Sequence, residues 1–424
     1  MQYNENDVYE YTKLHRTILA NNLPKEALVI ISSATKAIRN HDVHYPFRQK
    51  SSFYWLTAFD EPNAIWVLEK NNHEVCTHLY HQGYEEKLVL WESPPLSHTE
   101  ITNSRAIDKV DSIEQAEAVI KNLCSKYQDI WLLSDDCMIE KVKIWADSDI
   151  HALDNLMQRC RLQKTPIELS CIEKACEISM HAHKMTIAAT KKLPYTNEYQ
   201  IQAQFAYQAQ MQGAATLAYP TIAASGNNAC ILHYTKNNAS INNNDLVLLD
   251  AGCEVNNYAA DITRTWPLSG TFTVEQKAIY QAVLTAQEIC INALRPGIIL
   301  KDINDMAIRS LTQSLINIGL ISVDIEEAIE KKAYYPYFCH GIGHSLGLDV
   351  HDTQPKAKDW VLKENMVLTI EPGLYIPKNQ GKNLFEGIGV RIEDNIRITN
   401  DGYQNLTAKL PKQVEQIEEM LSIG

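Results

Sequence analysis

The sequence lacks the features of a membrane or exported protein. No apolar run in the 424 residues approaches the roughly 18 residues of a membrane span, so we predict no transmembrane helix. The first residues, Met1 to Asp7, are polar and acidic, and we expect no secretory signal. The ten cysteines are scattered, without a Cys-x-x-Cys pair, which in such a chain is typical of reduced, buried cysteines. We therefore expect a soluble, cytoplasmic protein.

Positive charge is also scarce. The chain has 39 lysines and arginines against 52 acidic residues, a formal net charge of −13. Nucleic acids and anionic membranes are bound through basic patches. We therefore expect no nucleic acid and no membrane among the partners. The sequence also has no low-complexity segment and no solenoid repeat.

Length and one helix signal predict two domains. A chain of 424 residues exceeds the size of one ordinary hydrophobic core. Thr165, Pro166 and Glu168 form a capping box with proline at the first helical position, which predicts a long helix through about Ala189. We place the domain boundary there, with one domain at residues 1–164 and a second at 165–424.

Both domains show mixed helix and strand patterns, so we predict an α/β (α+β) fold. In the first domain we predict strands at 27–31, 53–58, 64–68, 75–79 and 130–133. We predict amphipathic helices at 8–20 and 112–125. The polar segment from His41 to Gln49 is typical of a solvated loop. In the second domain a capping signal at Thr273 and Gln276 predicts another helix that stops before Pro296.

The stretch from Leu246 to Thr265 carries the first chemical signal. Its apolar run ends on Asp250 just before a turn, which indicates a buried strand. Alternation from Asp261 indicates a return strand with Asp261, Thr263 and Thr265 on one face. Two carboxylates brought together in this way repel by about 4 kcal/mol at about 4 Å and an effective dielectric of about 20. A cation or a shared proton must balance them.

A histidine cluster follows downstream. His340, His344 and His351 lie among three glycines, which suggests a backbone folded closely around a ligand. A single histidine is more often structural, but three in this setting favour a metal site, because neutral imidazole is the commonest metal ligand.

Two further segments add acidic residues. Glu371 closes a buried apolar run, which is costly unless the carboxylate is paired or binds a metal. Arg391 and Glu393 share one face of a later strand. A surface ion pair is the alternative explanation for these two residues, although such pairs contribute little stability.

In this order the motifs resemble a known family. They are Asp-Ala-Gly-Cys-Glu with Asp-Ile-Thr-Arg-Thr, His-Gly-Ile-Gly-His followed by Leu-Gly-Leu-Asp-Val-His, Thr-Ile-Glu-Pro-Gly, and Arg-Ile-Glu-Asp. Together they resemble the Xaa-Pro aminopeptidases (aminopeptidase P) among the pita-bread metallopeptidases. The segment from His41 to Glu69 looks like the amino-terminal domain of that family. The resemblance implies a creatinase-like mixed α/β domain followed by a pita-bread catalytic domain.

The resemblance implies five ligands for two divalent metal ions. Asp250 would chelate one ion, His344 and Glu371 the other, and Asp261 and Glu393 would bridge them. Four carboxylates balance two dications, and this oxygen-rich set suits manganese, with cobalt and zinc as alternatives. A water shared by the two ions would be deprotonated near neutral pH and attack the scissile carbonyl. Glu371 would also help to carry the proton.

The same resemblance implies roles for five further residues. His233 and His351 would hydrogen-bond the carbonyl and the tetrahedral oxyanion as catalytic residues. Arg391, with His340 and His351, would form the proline-side pocket, and Tyr219 would line the site as a further substrate-binding residue. A core position remains the alternative for Tyr219 and His340. The implied substrates are peptides with proline in second position, whose scissile bond has no N–H.

Several alternatives remain open at this point. A prolidase would use the same chemistry but accept only dipeptides. A creatinase has the fold without metals, and a non-catalytic binding protein would lose ligands, whereas all five are present here. Members of the family with two domains are commonly homo-oligomers, dimers or tetramers, and the region from His73 to Glu100 matches the family only in broad character.

Overall fold

The chain divides into two compact units in a computed structural model. The structure describes residues 5–83, 91, 93–192, 195–354, 360–378 and 383–422. The units comprise residues 2–161 and 162–424, where the sequence-based division was 1–164 and 165–424. No helix in the described ranges is long and apolar enough to cross a membrane.

The amino-terminal unit is a mixed α/β structure. Its helices are α1 (Glu5–Asn22), α2 (Ser51–Thr57), α3 (His98–Arg105), α4 (Ile113–Cys124), α5 (Ile139–Trp145) and α6 (Asp154–Leu162). Its strands are β1 (Ala27–Ser32), β2 (Ile38–Asn40), β3 (Val43–His44), β4 (Ile65–Lys70), β5 (Val75–His81), β6 (Lys109–Ser112), β7 (Asp129–Leu132) and β8 (Asp149–Ala152).

One sheet organises this unit, with the strand order β6-β5-β4-β1-β7-β8. The β1–β4 and β4–β5 pairs are antiparallel, and the other three pairs are parallel. Apolar side chains of β1 and β7, such as Leu28, Ile30 and Ile130, pack against Ile120 of α4. The predictions of strands at 27–31, 64–68, 75–79 and 130–133 are therefore confirmed. The polar segment from His41 begins at the β2–β3 hairpin and is exposed through Pro46, whereas Gln49 at its end is buried.

The predicted strand at 53–58 is wrong. These residues lie in helix α2, and every side chain from Phe53 to Thr57 is buried. The Thr57 hydroxyl donates to the carbonyl of Phe53, 2.8 Å away, one helical turn back. A short apolar run that is buried on all sides has no helical or strand periodicity, so its pattern cannot separate the two conformations.

The carboxy-terminal unit contains the remaining elements. Its helices are α7 (Pro166–Lys192), α8 (Glu198–Met211), α9 (Val274–Ala293), α10 (Leu300–Asn317), α11 (Ile325–Glu330) and α12 (Val414–Ser422), with a 3-10 helix at Gly226–Cys230. Its strands are β9 (Thr216–Leu217), β10 (Ile222–Ser225), β11 (Leu246–Asp250), β12 (Cys253–Val255), β13 (Tyr258–Ala259), β14 (Thr263–Pro267), β15 (Val367–Ile370), β16 (Gly373–Ile376), β17 (Ile388–Arg391), β18 (Asp394–Ile398) and β19 (Tyr403–Asn405).

The strands of this unit form short antiparallel ladders. They follow the orders β10-β11-β14, β13-β12-β9, β15-β18-β19 and β16-β17. Both predicted helix starts are confirmed: the backbone N–H of Thr165 donates to Glu168 at α7, and Thr273 and Gln276 form a capping box at α9. Strands β15 and β18 pack against α9 through Leu368, Ile396 and neighbouring apolar residues.

A buried ion pair fixes the loop after the histidine cluster. Lys164 Nζ lies 3.0 Å from Asp352 Oδ2, and both side chains are 1% exposed. Gly347 leaves room for the pair, because a Cβ there would lie 2.2 Å from the same carboxylate oxygen. Asp352 directly follows His351, so this ion pair holds the chain at a predicted site residue.

We expect Lys164→Met to destabilise the carboxy-terminal unit by about 3–5 kcal/mol, because it leaves a buried carboxylate without its cation. The urea dependence of unfolding measures this change. Lys301→Met is the matched control, since Lys301 pairs with Asp305 on the exposed face of α10 and such a pair is worth under about 1 kcal/mol. Equal effects of the two substitutions would contradict a structural role for the buried pair.

Candidate metal centre

Two carboxylates meet where strand β11 ends. Asp250 is the last residue of β11 and pairs in register with Thr263 of β14. Gly252 allows the connecting segments to touch, because a Cβ there would lie 1.8 Å from the carbonyl oxygen of Ala260. Asp250 and Asp261 are consequently neighbours, and the hydroxyl of Tyr219 lies between them, 2.7 Å from Asp250 Oδ1 and 2.5 Å from Asp261 Oδ1.

Two glutamates lie at a common break between two ladders. Glu371 connects β15 to β16, and Glu393 connects β17 to β18. Because β15 pairs with β18 and β16 pairs with β17, both connections fall at the same position in the sheet. The hydroxyl of Thr263 donates to Glu393 Oε2 at 2.7 Å, and that of Thr369 donates to Glu371 Oε1 at 3.2 Å.

His344 completes the group of acids. Gly343 brings its segment against β15, since a Cβ there would lie 1.9 Å from the carbonyl oxygen of Thr369. The Nδ1 atom of His344 donates to the carbonyl oxygen of Ser345 at 3.1 Å. The other ring nitrogen, Nε2, lies 3.4 Å from both Asp261 Oδ2 and Glu371 Oε1. A backbone acceptor on one nitrogen directs the other toward the acids, as in many metal-binding histidines.

These donors fit a divalent cation. Asp261, His344 and Glu393 each present one ligand atom, and the three atoms lie within 4.8 Å of one another. Glu371 adjoins this group through His344. Asp250 adjoins it through Tyr219, although its second oxygen, Oδ2, accepts a hydrogen bond from Arg391 Nη2 at 2.5 Å. Divalent metal ions of hard or intermediate Lewis acidity prefer a donor set of carboxylate oxygens with one imidazole.

The pKa shifts describe a pocket that attracts positive charge. Burial, with the charges of Asp261 and Glu371, raises the pKa of Glu393 well above its usual value. Burial likewise raises the pKa of Glu371 to about 7, against the opposing charge of His344. Burial opposes a charge on His344, yet its hydrogen bond to Asp261 and the charges of both acids raise the pKa of the imidazole to about 9. The hydrogen bond and charge of His344 in turn lower the pKa of Asp261 despite its burial.

Arg391 links the acids to the polar side of the pocket. Besides Asp250, its guanidinium donates to the hydroxyls of Thr263 and Tyr375, each at 3.1 Å. The Nε2 atom of His340 lies 2.9 Å from the same Tyr375 hydroxyl. Residues Arg391 and Glu393 are 4% and 1% exposed, so the alternative of a surface ion pair is wrong.

The acids and histidines line one cavity of about 540 Å³. Its lining residues are Leu232, His233, Asp250, Asp261, His340, Gly341, Gly343, His344, His351, Asp352, Gln354, Glu371, Arg391 and Glu393. The structure therefore brings together nine of the ten predicted site residues at this cavity. The tenth, Tyr219, contacts the two aspartates, so it does not occupy a distant core position.

The three histidines outside the acidic group differ in their surroundings. The rings of His351 and His344 lie 4.3 Å apart, edge to face. Burial, together with the charge of His344, lowers the pKa of His351. Burial and the charge of Arg391 lower the pKa of His340 to about 4. His233 is exposed on an irregular loop. The lowered pKa values favour neutral rings for His340 and His351, and a neutral imidazole can donate or accept a hydrogen bond, which suits contacts with a peptide.

Sequence reasoning missed three residues of this site. Tyr375 lies only four positions after Glu371, and its hydroxyl joins Arg391 to His340. Thr263 shares the predicted face with Asp261, and this alternation was a signal for its contact with Glu393. Asn395 gave no such signal: its side chain accepts from the N–H of Asp261 at 3.0 Å and donates to the carbonyl of the same residue.

Comparison with protein families gives two matches. Residues 170–400 match the metallopeptidase family M24, and residues 12–131 match the aminopeptidase P amino-terminal domain. The first match contains all ten predicted site residues.

The chain is similar to bacterial proteins over nearly its whole length. It is 36% identical to an Xaa-Pro aminopeptidase of Haemophilus influenzae, with 97% of each chain covered. It is 34% identical to the Xaa-Pro aminopeptidase of Escherichia coli, with 96% of each covered. The solved structure of E. coli aminopeptidase P with the inhibitor Pro-Leu superposes with a TM-score of 0.94 at 30% identity, covering 100% of this chain and 99% of that one.

The buried histidine His183, which lies beside the Asp250 segment, should make the stability of the protein depend on pH. His183 Nε2 donates to the carbonyl oxygen of Ala251 at 2.9 Å, and burial lowers the pKa of His183 to about 3. The unfolded chain, with a histidine pKa of about 6.5, takes up the proton first as the pH falls. The stability that the neutral ring provides is thus complete above about pH 6.5 and declines toward pH 3.

We expect His183→Gln to remove this component of pH dependence, since glutamine can donate the same hydrogen bond without titrating. The wild type should lose about 2 kcal/mol more unfolding free energy between pH 7 and pH 5 than the variant. Urea titrations at the two pH values measure the difference, and His181→Gln on the exposed face of α7 is the control. Parallel curves for wild type and His183→Gln would refute the assignment.

Proposed function

This chain belongs to the metallopeptidase family M24, and we propose how its residues carry out the Xaa-Pro aminopeptidase reaction. The chain is an Xaa-Pro aminopeptidase, a metallo-exopeptidase, as its full-length relatives are. The predictions of the family, of the α/β fold class and of a pita-bread catalytic domain after an aminopeptidase-P-type domain are confirmed. The supporting observation in the site is the convergence of Asp261, His344 and Glu393 at the cavity.

The five proposed ligands are the four acids and the one histidine that meet at the cavity. Asp250 would hold one ion, His344 and Glu371 the other, with Asp261 and Glu393 shared between them. We propose two divalent ions, manganese first, with cobalt and zinc as alternatives, because oxygen donors dominate the set. Such ions supply a Lewis acid and a water that is activated near neutral pH.

The remaining pocket residues would bind and orient the peptide. We assign His233 and His351 to the scissile carbonyl, where a donated hydrogen bond stabilises the oxyanion of the tetrahedral intermediate. Glu371 would carry the proton from the attacking water to the leaving nitrogen. Its contact with Thr369 orients the carboxylate for this transfer.

Selection of proline is assigned to the side of the cavity around Arg391. His340, His351 and Arg391 would surround the proline ring, and the link through Tyr375 holds two of them in place. Tyr219 would act on the ligands rather than on the peptide, since its hydroxyl contacts Asp250 and Asp261. The peptide bond before proline has no N–H. A site that forms no hydrogen bond to this N–H therefore loses no binding energy with an Xaa-Pro substrate.

Location and assembly are further proposals. None of the ten cysteines, which all lie in the described ranges, forms a disulfide; this supports a reducing compartment, and we propose the cytoplasm. We also propose a homo-oligomer, a dimer or tetramer, as the resemblance to the family implies. The proposed partners are peptides with proline in second position, and neither nucleic acid nor a membrane.

A peptide panel tests the substrate assignment. We expect the manganese-loaded enzyme to release the first residue from Xaa-Pro-Xaa tripeptides and longer Xaa-Pro peptides, and to leave matched Xaa-Ala peptides uncut. Product analysis by mass spectrometry gives kcat/KM for each peptide. Rapid cleavage of Xaa-Pro dipeptides with no cleavage of tripeptides would instead identify a prolidase.

Glu393→Gln tests the metal assignment. The amide can still accept the hydrogen bond from Thr263 but supplies no negative charge to the cations. We expect metal content to fall and kcat/KM to decrease on the order of 100-fold or more. Metal analysis and peptide assays before and after chelation, with manganese added back, measure both effects. Glu364→Gln, at an exposed position, is the control, and wild-type turnover in Glu393→Gln would exclude the bridging role.

A further inference from the structure

The loop that carries His233 is held by a buried carboxylate on another element. Glu198, the first residue of α8, has no exposed surface. Its Oε1 atom accepts hydrogen bonds from the backbone N–H and hydroxyl of Ser225 and from Asn228 Nδ2, each at 2.9 Å. Its Oε2 atom accepts from the Tyr234 hydroxyl at 2.7 Å and from the N–H of Ala239 at 2.9 Å.

These donors lie on both sides of His233 in the chain. Ser225 and Asn228 precede it, and Tyr234 and Ala239 follow it, so the carboxylate gathers the two ends of one loop. The peptide N–H of Glu198 also donates to the carbonyl of Ala239 at 3.1 Å. Between these anchors, Leu232 and His233 reach the cavity on a segment without helix or strand.

A second contact with α8 holds the same loop. Gln202 lies one helical turn after Glu198, and its Oε1 accepts from Asn237 Nδ2 at 3.0 Å. Asn237 is buried and also bridges the N–H of Ala223 to the carbonyl of Thr221. Helix α8 therefore fixes the loop at several points, while the His233 side chain itself is exposed.

We propose that Glu198 is the positioning residue for His233, which it holds in place through the loop 225–239. The proposal rests on the role of His233 at the scissile carbonyl proposed above. A donor to a developing oxyanion is effective only at a defined position. Because His233 is an exposed side chain on an irregular loop, the loop backbone has to fix that position. Glu198 supplies that position through its hydrogen bonds to the loop.

The carboxylate is the group that this role requires. An ionised carboxylate accepts on both oxygens, whereas a glutamine amide accepts on one and donates on the other. Either orientation of an amide at position 198 sets its NH₂ group against a backbone N–H, that of Ser225 or that of Ala239. Glu198→Gln therefore releases one end of the loop at nearly constant side-chain volume.

Four proteins test the proposal: the wild type, Glu198→Gln, His233→Ala and the double variant. We expect Glu198→Gln to lower kcat by about 10- to 100-fold with KM changed less than about 3-fold, full metal content and unchanged circular dichroism. In the His233→Ala background the same substitution should change kcat by less than about 3-fold, because the group it positions is absent. Glu275→Gln, in the first turn of α9, is the matched control for a glutamate at a helix start.

The outcomes separate this proposal from the assignment of His233. Wild-type kcat in His233→Ala would overturn the proposed role of His233. An impaired His233→Ala together with equal losses from Glu198→Gln in both backgrounds would overturn the positioning role alone. If Glu198→Gln fails to fold, Tyr234→Phe removes one of the five donors and should give a smaller loss of kcat that likewise vanishes in the His233→Ala background. Retention of that loss there would also refute the proposal.

Discussion

Like charge packed below the surface is the constraint on which the catalytic unit depends. Asp250, Asp261 and Glu393 are each less than a tenth exposed, and Glu371 adjoins them. Carboxylates that lie side by side repel strongly, and burial adds the free-energy cost of removing each charge from water. Burial first, and then repulsion between the acids, raises the pKa values of Glu371 and Glu393, and the same acids raise the pKa of His344. Divalent cations provide the same compensation without protons, and this is why the unit is suited to hold them.

The strand ladders keep these acids together against their repulsion. Asp250 ends one strand, and Glu371 and Glu393 occupy the common break between two ladders. Backbone hydrogen bonds on both sides of each acid fix its position, so the acids cannot separate without breaking the sheet. Gly252 and Gly343 permit the close backbone contacts at two of these points, where any side chain would collide with a carbonyl oxygen.

The two histidines assigned to the scissile carbonyl share a mode of support. Each lies on a loop and is followed by a residue that a buried charged group holds: Tyr234 contacts Glu198, and Asp352 contacts Lys164. Among the ligands, Asp250 ends a strand, and Glu371 and Glu393 join consecutive strands, whereas these histidines depend on side chains supplied by other segments. Activity is therefore expected to be sensitive to residues outside the cavity wall.

Local pattern was sufficient for part of this site. Apolar runs that end on acids, glycines between histidines and strand alternation identified eight residues, all of which line the cavity, whereas His233 and Tyr219 came from the family resemblance. The family resemblance supplied the roles, which one sequence cannot express. The same local pattern failed at Phe53 to Thr57, because a fully buried run has no periodicity that separates helix from strand.

The sequence by itself determined the family, the α/β class and the acids and histidines that gather at one pocket, because each of these depends on residue type and short-range spacing. Only the tertiary structure decided that Arg391 contacts Asp250 and that Tyr375 joins Arg391 to His340. It also decided that Asn395 contacts Asp261 and that Glu198 contacts Tyr234. These contacts join residues up to 141 positions apart. Hydrogen bonds at that separation depend on how the chain folds back on itself, and no local pattern records them.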